Sequence, residues 1–173
     1  MTQVLLLRGI NVGGHGKLPM SLLKQALIAA GAERPETYIQ SGNAVFAGDV
    51  DLETILEEVE ARAGFSPEAV IIEAEEFLRM VAANPFSEAV SDPKSLHLFF
   101  LSEPSLATAA DLAAASADHE GAILQGPVLY LHTPDYLSGS ELASKLDRVL
   151  GVRSTGRNWR TVEKLAMMVE SRR

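Results

Sequence analysis

Two apolar stretches, Val4-Leu5-Leu6-Leu7 and the run over 96–101, constrain this chain most. The first lacks the polar–apolar alternation of a half-exposed strand, so it reads as a strand buried on both faces. Each stretch opens a similar series of signals, and each therefore reads as the first strand of its own small sheet. In the first series a strand over 3–8 runs into a glycine-rich loop over 9–17. A helix follows over 19–30, with Pro19 suited to the first helical position and Gly31 to the end. Strands over 37–40 and 43–47 are joined by a tight turn at Ser41-Gly42. Asp51 caps a helix reaching Ala63, Gly64 ends it, 69–73 is a fourth strand, and a helix over 75–83 stops at Asn84-Pro85.

Residues 85–95 hold Pro85, Ser87, Ser91, Asp92 and Pro93, and read as a linker. The order of elements then returns: a strand over 96–101, an alanine-rich helix over 106–115, and a hairpin of 122–124 with 128–132 around Gln125-Gly126-Pro127. A helix over 140–150 is closed by Gly151, and a last helix over 159–171 is capped by Asn158. The first half reads βαββαβ and the second βαββα with one more helix. The expectation is an α+β protein of tandem ferredoxin-like halves, 1–84 and 96–173, each a split βαβ unit with an antiparallel sheet. One half packed on the other would cover the second face of each sheet.

The chain has no cysteine, which excludes disulfides, thiolate metal sites and cysteine nucleophiles, and fits a cytoplasmic location. No basic lead precedes the first apolar stretch, and no apolar run approaches the ~20 residues of a membrane span. The four histidines, His15, His97, His119 and His132, are scattered without zinc-site spacing, so no metal is expected. No Gly-x-Ser-x-Gly elbow is present: Ser138-Gly139-Ser140 is a loop entering a helix. RNA recognition through a sheet face needs stacked aromatics, and of the first and third strands only the third has one, Phe46.

Net charge is −8, which opposes broad nucleic-acid binding. The charge is uneven. From Lys145 onward eight basic residues stand against three acids, so this segment is +5 and the rest of the chain −13. One reading sets Arg172 and Arg173 against the dipole of the last helix with the other charges solvated; the other makes a local anion site.

The loop Arg8-Gly9-Ile10-Asn11-Val12-Gly13-Gly14-His15-Gly16-Lys17 invites a phosphate-loop reading, but the formal patterns fail. A Walker loop needs glycine at Asn11 and Ser or Thr at Leu18; a dinucleotide fingerprint from Gly14 needs a small residue at Pro19. A weaker physical case stands. Glycines between a strand and a helix expose backbone N–H groups, and Arg8, His15 and Lys17 add positive charge. The alternative is a turn that only connects strand to helix. In a split βαβ unit the turn between strands two and three lies at the same end as the loop after strand one. Ser41-Gly42-Asn43 then belongs beside the glycine loop, either as hydrogen-bonding groups or as plain turn formers. A third segment, Thr155-Gly156-Arg157-Asn158-Trp159, holds the only tryptophan, which can stack on a ligand ring or anchor a core.

Three motifs stand in order: Arg8-Gly-Ile-Asn-Val-Gly-Gly14, Tyr38-Ile-Gln-Ser-Gly-Asn-Ala-Val-Phe46, and Thr155 with Arg157-Asn158-Trp159 and Thr161-Val162-x-Lys164-Leu165. In them the chain resembles the bacterial domain-of-unknown-function family DUF1697 over nearly its whole length. The resemblance implies tandem ferredoxin-like domains and no established activity, and it carries over no catalytic residue. Pro19 departs from the polar or small residue expected near the helix start.

The leading functional expectation is a small anionic ligand, phosphate- or carboxylate-bearing, in a cleft formed by Arg8, Asn11, Gly13, Gly14, Lys17, Ser41, Gly42, Asn43, Thr155, Arg157, Asn158 and Trp159. The alternative is a nucleic-acid or protein-binding module using the basic C-terminal segment, and a third is a structural or oligomerising domain. No cofactor, nucleophile or general base is assigned; His15 is the one nearby candidate base.

Overall fold

β1 (Thr2–Arg8) lies inside a four-stranded sheet in the computed structural model, which describes all 173 residues. β3 (Asn43–Ala47) pairs with it on one side and β4 (Glu68–Glu73) on the other, both antiparallel. β2 (Glu33–Tyr38) extends the sheet beyond β3, giving the order β2-β3-β1-β4. The unalternating apolar run has a clear cause. Leu5 and Leu7 join Ala44 and Phe46 of β3 in one core, while Val4 and Leu6 on the opposite face are just as inaccessible. That core takes Leu23, Ala26 and Leu27 from α1 (Met20–Ala29), and Ile55 and Val59 from α2 (Leu52–Ala63). The i, i+3 and i+4 spacings put each set on one helix face. Burial of each large side chain among them is worth roughly 1.5–3 kcal/mol.

α2 starts where the Asp51 carboxylate accepts the Thr54 N–H at 2.9 Å and ends at Gly64, whose φ of +81° suits glycine. The bonds from Thr54 hold the Asp51 carboxyl below its ordinary pKa. A carboxyl whose pKa is lowered by folding stabilises above its unfolded pKa, and loses that contribution as pH falls through the folded value. Asp51→Ala is therefore expected to lower the urea midpoint at pH 7, with the difference from wild type shrinking below pH 4.

The chain divides into two compact units, Met1–Arg79 with Leu165–Arg173, and Met80–Lys164. The division falls inside two helices, α3 (Ala74–Ala82) and α7 (Trp159–Glu170), each of which continues a strand without an intervening loop. In the second unit β5 (Leu96–Leu101) lies between β7 (Val128–His132) and β8 (Ser154–Asn158), and β6 (Gly121–Gln125) lies beyond β7. All neighbours are antiparallel, in the order β6-β7-β5-β8. Leu101, Leu129 and Leu131 pack with Leu112 of α4 (Ala109–Ala115), Leu142 of α5 (Glu141–Ser144), and Leu146 and Leu150 of α6 (Leu146–Leu150). Leu98, Phe100 and Tyr130 are buried as well, and the Tyr130 hydroxyl donates to the Met80 carbonyl at 2.6 Å. The protein is thus α+β, with two four-stranded antiparallel sheets and seven α-helices. No helix is long and apolar enough to cross a membrane.

The structure departs from the sequence expectation at five elements. Residues 154–158, expected as the approach to the last helix, form β8. Its Gly156 lies opposite Phe99, whose ring atom Cε1 would stand 2.5 Å from any added Cβ. β2 begins four residues early and carries a bulge where Arg34 has φ +48° ahead of Pro35, which disguises its pattern. α4 starts at Ala109, where Thr108 and Asp111 form a reciprocal capping box, leaving Leu106 outside the helix and 97% exposed. The helix expected over 140–150 is broken at Lys145 into α5 and α6. Pro19 precedes α1 in an extended conformation rather than occupying its first turn. Residues 85–95 carry two 3₁₀ turns, Ser87–Ser91 and Pro93–Ser95.

Candidate functional site

At the end of β1 the chain enters a loop with its own hydrogen bonds. Asn11 N–H donates to Gly16 O (2.9 Å), and Val12 and His15 exchange N–H···O bonds of 3.2 and 2.9 Å. The result is a miniature hairpin closed by Gly13-Gly14, with φ of +57° and +79°, the left-handed pair that a two-residue turn demands. Gly16 is needed for a different reason: a Cβ there would stand 2.8 Å from Gly9 O. The amides of Asn11, Val12 and His15 are engaged within the loop. Those of Gly13 and Gly14 take no part in its hydrogen bonds and lie at its exposed tip.

Asn11 joins this loop to the β2–β3 turn. Its Oδ1 accepts the Leu18 N–H at 2.9 Å; its Nδ2 donates to Leu18 O at 2.9 Å and to Gln40 O at 2.8 Å. A backbone φ of +54° suits asparagine better than other non-glycine residues. The turn itself is longer than the sequence suggests. Tyr38 pairs with Asn43, so four residues, 39–42, make the connection. Asn43 is fully buried and closes the turn from inside, its Nδ2 donating to Tyr38 O (2.8 Å) and Ser41 Oγ (2.9 Å). Gly42 O accepts the Leu7 N–H at 2.8 Å, fastening the turn to the end of β1. The glycine loop and the Ser41-Gly42-Asn43 turn therefore lie at the same end of the first sheet.

Around this junction Lys17 and His15 are exposed, and half-buried Arg8 forms an ion pair with Glu68 at 3.7 Å. Two residues outside the expected ligand set belong here. Gln40 supplies the carbonyl that Asn11 grips, and Ile39 has φ +49° while 48% exposed. The contact of Gln40 is made by its backbone, which no side-chain motif announces.

Thr155, Arg157, Asn158 and Trp159 lie in the second unit. Asn158 is the last residue of β8, and its Oδ1 accepts the Thr161 N–H at 3.0 Å, capping α7. Trp159 is buried, with an indole N–H that has no partner. Arg157 is 8% exposed and donates to Gly156 O at 2.8 Å; burial pushes its pKa down to about 10. The terminal arginines, expected to face the dipole of the last helix, have carboxylate partners in the first unit. Arg172, with 6% of its side chain exposed, donates from Nη2 to Arg34 O (2.6 Å) and Glu36 (2.8 Å), and Arg173 pairs with Glu75 at 2.7 Å. Arg153 pairs with Asp147 at 3.0 Å. Arg153, Arg172 and Arg173 are thus ion-paired within their own units, and Arg157 is buried.

The loop and turn motifs both fall inside the stretch that matches a known family, described as a protein of unknown function (DUF1697), over residues 1–130. The chain belongs to the DUF1697 family. The match ends within β7, so the Thr155–Leu165 motif lies beyond it. This DUF1697 protein is also similar in structure to a conserved bacterial protein from Streptococcus pneumoniae. The TM-score is 0.69 at 25% identity, over 97% of this chain and 98% of that one. No curated protein matches the chain.

Proposed function

We propose that the glycine loop and the β2–β3 turn of the first unit bind a small anionic ligand, one bearing a phosphate or carboxylate. The observation that carries the proposal is the Asn11 junction. Three side-chain hydrogen bonds hold the loop in one shape and against the turn, while the Gly13 and Gly14 amides stay out of the loop's own bonding. Preorganised amides in consecutive left-handed residues suit an anion, because the donors need no rearrangement on binding. Lys17 supplies charge at the same loop. A mere strand-to-helix connection needs only about 2–6 residues, and the eleven here, 9–19, include five at positive φ. The proposal rests on the first unit alone. Its structural counterpart is that each half is a ferredoxin-like split βαβ unit, supported by the shared strand order β2-β3-β1-β4 and β6-β7-β5-β8.

A thermal-shift series with inorganic phosphate, pyrophosphate and simple carboxylates tests the reading. A ligand at 100 times its Kd is expected to stabilise the protein by about 2.7 kcal/mol. Lys17→Ala is expected to weaken that ligand roughly three- to fivefold, the size of an exposed charge contact. A shift that is identical in Lys17→Ala would place the anion elsewhere.

A further inference from the structure

We propose that the ligand of this loop and turn is an anion carried on an apolar body, by class an organic phosphate with an aryl or alkyl group, rather than a bare inorganic ion. The inference rests on the anion reading above and adds the part of the ligand that the amides do not address. Two exposed branched side chains stand at the junction, Val12 at 63% and Ile39 at 48% exposure. They flank the bond from Asn11 Nδ2 to Gln40 O, one residue away on either side. Val12 is also the chain neighbour of Gly13, so an apolar side chain adjoins the amides assigned to the anion.

Ile39 is held in a strained backbone conformation. Its φ of +49° lies in the left-handed region, where a β-branched side chain is a genuine outlier. Glycine or asparagine takes this conformation at lower cost. Burial in the core does not explain the choice, because about half of the residue faces solvent. An apolar side chain held at the surface against its own backbone preference is explained by something it contacts when the site is filled. An inorganic anion offers it nothing; the apolar group of an organic phosphate covers it. Lys17, exposed on the loop, supplies positive charge for the anionic end of such a ligand, while Arg8 is held by the Glu68 carboxylate.

The test compares inorganic phosphate with phenyl phosphate by isothermal titration, in the wild type and in Val12→Ala/Ile39→Gly. Covering roughly 50 Å² of apolar surface corresponds to about a tenfold gain in affinity, so the wild type is expected to bind phenyl phosphate about tenfold more tightly. The double variant is expected to bind the two with equal affinity. Ile39→Gly alone is expected to melt no lower than wild type, because the backbone strain is relieved, and this shows that the loss is not one of folding. Equal wild-type affinities for the two probes would overturn this proposal and leave the anion reading in place. A preference that survives in the double variant would also overturn it, by placing the apolar contact on other residues. Binding of neither probe would overturn both.

Discussion

A Gly42→Ala variant is expected to unfold about 3 kcal/mol more easily than the wild type. Two independent effects meet at this residue. Its φ is +89°, a conformation that costs an L-residue about 1–2 kcal/mol. The added methyl would also stand 2.6 Å from Ile10 Cδ1 and 2.8 Å from Leu7 Cβ. Both neighbours are buried, at 2% and 0% exposure, so neither side chain can swing into solvent. Overpacking of this kind costs typically 1–3 kcal/mol. The clash lies where the turn, the end of β1 and the loop meet, so the variant is expected to lose anion affinity together with stability. Urea denaturation monitored by circular dichroism measures the first, and a change under 1 kcal/mol would show that the turn can slide away from β1.

The second large effect is a dependence on pH centred on His97. This residue lies on β5 opposite Leu131 and Asn158, with the Phe99 ring 6.2 Å away. Its Nδ1 is buried without a hydrogen-bond partner, and burial pushes its pKa down to about 4. The unfolded chain takes up the proton near pH 6.5, before the folded one does. Stability is therefore complete above about pH 6.5 and is lost as pH falls from there toward 4, where the folded state is protonated too. Between pH 6.5 and 4.5 the loss is expected to be about 2 kcal/mol. His97→Phe keeps a ring beside Phe99 and removes the titration, so its stability is expected to change less over the same interval by that amount. Parallel pH profiles for the two proteins would mean that His97 accepts its proton freely in the folded state.

Much of the fold was legible because its signals are local. Val4 to Leu7 declare a strand buried on both faces, Asp51 and Gly64 bracket α2, and Ser41-Gly42-Asn43 marks a turn whose place beside the glycine loop follows from strand order. β8 was not legible, because in Ser154-Thr155-Gly156-Arg157-Asn158 only Thr155 has the β-branched or apolar character of a strand. Gly156 is there to admit the Phe99 ring, a reason that exists only once β5 and β8 are paired. The β2 bulge was hidden in the same way, since a left-handed Arg34 leaves no composition signal.

The candidate site was legible in part. Residue types and topology brought the loop and turn together, but not the division of labour inside them. Asn11 and Asn43 look alike as hydrogen-bonding ligand residues in the sequence. In the fold one bolts the loop to the turn and the other closes the turn from a fully buried position. The terminal arginines, read from charge alone as set against the dipole of the last helix or as part of an anion site, are committed to Glu36 and Glu75. Such pairings depend on side chains far apart in sequence, which no local pattern records.

Whether the Gly13 and Gly14 amides receive an anion is read from their own chemical shifts. In a titration of the ¹⁵N-labelled protein with phenyl phosphate, both amides are expected to move along one saturable curve, accompanied by that of Lys17. In Gly42→Ala, where the junction is disturbed, the same curve is expected to flatten. Saturable shifts confined to residues outside the loop and turn, or no shifts at millimolar ligand, would contradict anion binding at Gly13 and Gly14.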